Sequence, residues 1–248
     1  MVKEEISKVI ITRPDGQADS LLQKLSDSIG HLVQFTHLPL LSILPLSVSR
    51  PEIDKFAGVI FVSPNAVKHF FNQFSDVTFD AKMPIVAVGL KTAEILEKKL
   101  NHKILYPTSM NSEGVIDLPV LQQIEGQQWL MIKGEGGRDL ILETLQKRGA
   151  SVETMDVYRR ELPSINLQHE IANTLKEAAL WVITSKDALQ NLIAIGNLEK
   201  IANHQTKVLV SSDRLKAIAI EKGFVIATQS ADASEAQLVQ SLNNFMLN

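Results

Sequence analysis

Short runs of β-branched and aliphatic residues alternate with helical periods along the whole chain. Val9–Thr12, Val59–Val62, Ile85–Val88, Lys103–Tyr106, Trp129–Ile132, Trp181–Thr184, Lys207–Val210 and Phe224–Ala227 each read as a strand buried on both faces. Helical patterns follow most of them. In Asp139–Arg148, for example, Ile141, Leu142 and Leu145 share one face and Gly149 stands at the expected stop. Strands separated by helices cannot be joined as hairpins, so the pattern predicts parallel sheets with helical crossovers.

Comparing the chain with itself adds an organisation. Ala57-Gly-Val-Ile-Phe-Val-Ser63-Pro-Asn-Ala66 resembles Ala179-Leu-Trp-Val-Ile-Thr-Ser185-Lys-Asp-Ala188 at an offset of 122 residues. Without a gap the same offset pairs Val86 and Val88 with Val208 and Val210, Ile104 with Ile226, and Ser112-Glu113 with Ser234-Glu235. A second similarity links Gly16–Val33 with Gly137–Val152, matching Asp19 with Asp139, Leu22 with Leu142, Leu25 with Leu145 and Gly30 with Gly149. In the middle of the chain the long unit precedes the short one, whereas the outer segments carry them in the opposite order. The expectation is an α/β protein of two parallel-sheet domains of similar fold, the middle one inserted into the outer one. Its boundaries are 1–36 plus 165–248 for the outer domain and 51–155 for the inserted one. Residues 37–50 and 156–164, rich in Pro and extended residue types, form a two-stranded hinge.

Composition narrows the function. A formal net charge of −3 and a pI near 6.1 disfavour a protein that works by neutralising nucleic-acid phosphates. Zero cysteines exclude disulfides, thiolate catalysis and Cys-ligated zinc. The six histidines show no ligand spacing, so no metal is assigned. Neither a P-loop nor a Gly-x-Ser-x-Gly elbow is present, so acyl transfer is disfavoured and no cofactor is expected. Met1–Lys8 is polar and mixed in charge, and Leu32–Val48 is interrupted by Gln34, His37, Pro39 and Pro45. These features predict a cytoplasmic monomer that neither enters a membrane nor binds nucleic acid.

In open parallel sheets, ligands sit beyond the carboxyl ends of the strands, against helix N-termini. The loops there are Thr12-Arg13-Pro14, Ser63-Pro64-Asn65, Gly89-Leu90-Lys91-Thr92, Asn111-Ser112-Glu113-Gly114, Lys133-Gly134-Glu135-Gly136-Gly137-Arg138, Thr184-Ser185, Ser211-Ser212-Asp213-Arg214 and Ser234-Glu235. Nearly all offer a hydroxyl, a glycine or a basic side chain. Each hydroxyl is also an ordinary N-cap, and Ser234-Glu-Ala-Gln237 fits a capping box. The glycine run reads as an anion-receiving turn flanked by Lys133 and Arg138. Tyr158 lies in the second crossing, where the floor of a cleft is expected; a plain packing role for its ring is the alternative.

Taken in order, these loops resemble uroporphyrinogen-III synthase. The series runs from Ile11-Thr-Arg-Pro14 through Phe61-Val-Ser-Pro-Asn-Ala-Val67, Val88-Gly-Leu-Lys-Thr-Ala93, Ser112-Glu-Gly114 and Gly134-Glu-Gly-Gly-Arg138. It continues with Arg148-Gly-Ala150, Val157-Tyr-Arg-Arg160, Thr184-Ser185 and Ser212-Asp-Arg214. Val62 departs from it, standing where a Thr-Ser pair is common. The resemblance implies a lyase of tetrapyrrole (haem and sirohaem) biosynthesis, free of cofactors, with hydroxymethylbilane held in a cleft between two α/β domains. The reaction removes the terminal hydroxyl as water, inverts the last pyrrole ring and closes the macrocycle. The binding positions it implies are Ser63, Thr92, Ser112, Ser185 and Ser212, with Gly89 for close backbone approach and Tyr158 as the best side chain for chemistry; the loops themselves add Arg13, Asn65, Lys133 and Arg138 as substrate-binding candidates. A non-catalytic two-lobed binding protein for an anionic metabolite shares the hinge and the helix-start serines, but needs no hydroxyl donor.

Overall fold

The computed structural model describes residues 6–137, 139–198 and 205–247. The elements open with β1 (Lys8–Ile11), α1 (Asp19–Ile29), β2 (Gln34–His37) and β3 (Ser42–Pro45). The middle of the chain supplies β4 (Gly58–Phe61), α2 (Pro64–Gln73), β5 (Ile85–Ala87), α3 (Leu90–Lys99), β6 (Ile104–Leu105), α4 (Ser112–Ile116), β7 (Gln128–Gly134), α5 (Leu140–Lys147) and β8 (Ser151–Glu161). The rest comprises α6 (Ile165–Thr174), β9 (Ala179–Ile183), α7 (Lys186–Gly196), β10 (Lys207–Val210), α8 (Asp213–Glu221), β11 (Val225–Gln229) and α9 (Glu235–Leu247). None of the described helices is long and apolar enough to cross a membrane.

The chain divides into two units, Met1–Ile43 with Glu161–Asn248, and Leu44–Arg160. The first holds a sheet in the order β11-β10-β9-β1-β2, and the second is built on the order β3-β8-β7-β4-β5-β6. Apart from β3, all neighbours in both sheets pair in parallel. Matching β4, β5 and β6 to β9, β10 and β11 makes the two five-strand orders identical, with the remaining strand pair (β7, β8 or β1, β2) on the same side. That pair follows the other three strands in the middle unit and precedes them in the outer one, which is how one fold is read from a permuted chain. The internal offset of 122 residues is therefore structural: Ser63 and Ser185 cap α2 and α7 through the amides of Ala66 and Ala188, at 3.0 and 3.1 Å.

Burial explains which strands the hydrophobic pattern finds. β4 and β9 are buried at every residue, and apolar clusters lie on both faces of the first sheet. By contrast β2 and β3 are edge strands with half-buried or exposed residues, so they carry no continuous apolar run. β8 mixes exposed and buried residues without regular alternation, and it extends to Glu161 as a member of the second sheet. Tyr158 thus belongs to a paired strand, opposite Gly134.

Candidate functional site

In the second sheet the chain runs outward from β4 through β5 to β6, and from β7 outward to β8, so the β7/β4 boundary is the switch point where a crevice opens. A cavity of about 220 Å³ lies there, walled by Ser63, Ser112, Lys133, Gly134, Tyr158 and Arg160 among others. All of these residues belong to the middle unit.

Tyr158 anchors the arrangement. Its ring is fully buried, stacks on His69 at a centroid distance of 5.6 Å, and lies flat against the backbone of Gly134. A Cβ on Gly134 would sit 2.4 Å from the ring carbon Cζ, so the glycine is required to admit the phenol. The Tyr158 hydroxyl is 3.1 Å from Ser63 Oγ and 3.1 Å from Arg160 Nη2, which donates to it. Burial, reinforced by the Lys68 charge, pushes the His69 imidazole below its ordinary pKa, which keeps it neutral against the ring.

The other expected positions divide. Ser63 caps α2 and also meets the phenol. Ser112 lines the cavity and is not the cap of α4: Asn111 takes that role, accepting from the Gly114 amide at 2.7 Å, which leaves the Ser112 hydroxyl clear of capping. Lys133 is largely enclosed, 12% exposed, with its ammonium 3.5 Å from Asp139. Asn65 is half-buried in the first turn of α2. Gly89 begins α3 with no side chain capping the helix, and a Cβ there would touch only Met110, at 3.6 Å. Gly136 and Gly137 take left-handed backbone with open space around them, as a turn of this shape requires.

Two positions fit a ligand poorly. Thr92 is 3% exposed, packed on the buried side of α3, so its hydroxyl does not reach the loop surface. Arg13, in the outer unit, donates to the Ala233 carbonyl and pairs with Glu235 at 3.7 Å, where burial lowers its pKa and Glu235 partly restores it. Its charge is committed to the start of α9. Ser185 and Ser212, also in the outer unit, cap α7 and α8. Arg138 lies outside the described residues. Two neighbours of Tyr158 were not among the expected site residues. Arg160 was legible, because residues two apart on a strand share a face; nothing in the sequence marks His69 on α2 as the partner of a ring on β8. Among the described residues no group of three His, Cys, Asp or Glu side chains is placed to hold a metal.

The family model for uroporphyrinogen-III synthase HemD matches residues 9–240. The chain belongs to the uroporphyrinogen-III synthase family. The uroporphyrinogen-III synthase of Escherichia coli K12 is 29% identical over 94% of this chain and 99% of its own length. That of Proteus mirabilis is 32% identical over 61% of this chain and 79% of its own. Among solved structures, a mutant uroporphyrinogen III synthase from the extremely thermophilic bacterium Thermus thermophilus matches with a TM-score of 0.66 and 15% identity, covering 96% of this chain and 99% of that one. The enzyme from Helicobacter pylori 26695 gives a TM-score of 0.63 and 14% identity over 94% and 97%. At those identities the structural matches speak to the fold, which is the two-domain α/β fold of uroporphyrinogen-III synthases; the family model carries the kinship.

Proposed function

We propose that the protein converts hydroxymethylbilane into uroporphyrinogen III, a lyase reaction that expels water, inverts the last pyrrole ring and closes the macrocycle. The observation that carries this reading is the pair of hydroxyls, Tyr158 and Ser63, set in a cavity beside Lys133 and Arg160 at a sheet switch point. Loss of hydroxide from the terminal carbon needs a hydrogen bond that strengthens as charge develops on oxygen, and a hydroxyl can donate one.

At about 220 Å³ the cavity is smaller than the roughly 300–1,000 Å³ that enclose a drug-sized ligand, so it takes one end of the tetrapyrrole. The substrate's eight carboxylates are then met by Lys133, by the Ser112 hydroxyl and by the first turn of α3 at Gly89, where no side chain caps the helix. Many modest contacts suit a flexible polyanion, because the enzyme's task is to impose one folding of a chain that also closes unaided to the uninverted isomer. The test is product analysis: purified protein mixed with hydroxymethylbilane, oxidised and resolved by chromatography, is expected to yield isomer III. Isomer I alone, at the spontaneous rate, would reject the reading.

A further inference from the structure

We infer that Ser63 is the catalytic hydroxyl that touches the departing oxygen, and that Tyr158 is a positioning residue acting through it. The inference rests on the function proposed above and follows from hydrogen-bond directions in the inserted unit. Arg160 Nη2 donates to the Tyr158 oxygen, and a guanidinium has no acceptor to offer in return. The phenol is fully buried, and a buried O–H must find an acceptor. Among the described residues the one within reach is Ser63 Oγ at 3.1 Å. Tyr158 is therefore the donor in that pair.

Ser63 Oγ also accepts the Ala66 amide at 3.0 Å, so both of its lone pairs are engaged. Its own proton meets no further bonded group among the described residues and is directed to the cavity that Ser63 lines. The polarity Arg160 to Tyr158 to Ser63 to ligand is fixed by which atoms can accept. Two donors on one serine oxygen, one of them a phenol held by a guanidinium, stabilise negative charge there and make its proton a stronger donor than that of an isolated serine. Unlike the phenol, Ser63 is only half-buried and can reach substrate.

The carbon–oxygen bond of the hydroxymethyl group breaks with its electron pair on oxygen, which takes the Ser63 proton and leaves as water. Ser63 recovers a proton from Tyr158, whose phenolate stays against Arg160. The pyrrole nitrogen supplies the electrons of the new exocyclic C=C bond and carries the positive charge. The proton released when the closed macrocycle regains aromaticity returns through Ser63 to Tyr158.

The experiment compares Ser63→Gly, Tyr158→Phe, their double variant and Ser63→Thr in steady-state formation of isomer III. Glycine is chosen because it serves as a helix N-cap nearly as well as serine, and circular dichroism and urea midpoints certify folding. Ser63→Gly is expected to lower kcat about 10- to 1000-fold with KM changed less than about threefold, at least as much as Tyr158→Phe. The double variant is expected to fall no further than the worse single one, since the two act as one unit. Ser63→Thr, which restores the hydroxyl and the cap, is expected to recover most of kcat. A Ser63→Gly variant that keeps kcat while Tyr158→Phe loses it would overturn the inference, as would effects that multiply in the double variant. Wild-type protein yielding only isomer I would instead reject the function on which it stands.

Discussion

Replacing Gly134 by Ala tests whether the tight seat of the Tyr158 ring is what sets the site. The added Cβ would lie 2.4, 2.6 and 2.9 Å from ring carbons Cζ, Cε2 and Cε1, against an ordinary contact of 3.4–4 Å. The ring must therefore withdraw by about 1 Å, with His69 stacked on it. Overpacking of this kind costs about 1–3 kcal/mol. The same displacement takes the 3.1 Å bonds to Ser63 and Arg160 beyond hydrogen-bonding range. A misplacement of about 1 Å at a reacting group costs on the order of 100-fold in rate. Gly134 has no left-handed backbone to lose, so the cost is steric alone. Urea unfolding and the rate of isomer III formation are the two readouts. Adding Tyr158→Leu to Gly134→Ala should remove most of the stability penalty, giving a coupling of about 1–2 kcal/mol, while leaving activity low. A Gly134→Ala protein with wild-type midpoint and kcat would show that the ring yields freely and that its position is not what matters.

Three further outcomes follow from the geometry. Gly89→Ala should shift stability by less than about 1 kcal/mol, because extended backbone and a 3.6 Å neighbour accommodate the methyl, yet raise KM for hydroxymethylbilane by obstructing approach to the α3 amides; an unchanged KM would remove Gly89 from the site. Ser185→Gly should leave kcat within about threefold of wild type, since no phenol polarises that serine; a loss matching that of Ser63→Gly would refute the asymmetry between the two. The Lys24 hydrogen bond, with those of Ser20 and the charges of Lys24 and Arg13, holds Glu235 below its ordinary pKa of 4.5 despite partial burial, so its stabilisation is complete above that value and disappears as pH falls below it. Glu235→Gln should accordingly flatten the acid limb of the stability curve by less than about 1 kcal/mol, Lys24 being half exposed, and an identical limb would show that the pair contributes nothing.

An unbroken apolar run marks the strands buried on both faces, whereas β6 and β11, expected from the sequence to be buried on both faces, are edge strands and only partly buried. β4, β7 and β9 announce themselves; β2, β3 and β8 lie at or next to an edge and mix exposed positions with partly or fully buried ones, so no local period marks them. The site was legible in proportion to how local its determinants are. Ser63 as the cap of α2 follows from Ser-Pro-Asn ahead of an apolar face, and the turn at Gly136 and Gly137 from the glycines themselves. That Thr92 faces inward depends on the register of α3 against its sheet, and that Arg13 is spent on Glu235 depends on a partner 222 residues away in the chain. Neither is encoded in the loops that carry those residues. Tyr158 was found for its hydroxyl, but its burial arises from the absent side chain of Gly134 on the neighbouring strand, a pairing that only the register of β7 with β8 creates.

The internal repeat explains why the chemistry is one-sided. Both units place a capping serine after the central strand, Ser63 after β4 and Ser185 after β9, with the same bond to the third amide of the helix. What differs is the strand pair beside it. In the middle unit β8 runs on past the end of β7, bulges where Lys133 gives way to Gly134, and brings Tyr158 over the glycine to Ser63. In the outer unit β2 ends at His37, and the residues that follow are Leu38-Pro39-Leu40-Leu41, with Leu38 and Leu40 buried in the core. That stretch carries no hydroxyl to polarise Ser185. A cap serine is an acceptor by construction, because the helix amide takes one lone pair and fixes the oxygen's position. It becomes a directed donor when a second, stronger donor occupies the other lone pair and forces its proton outward. One copy of the duplicated scaffold therefore needs only a longer strand and a glycine opposite a tyrosine to turn an ordinary helix cap into a catalytic group.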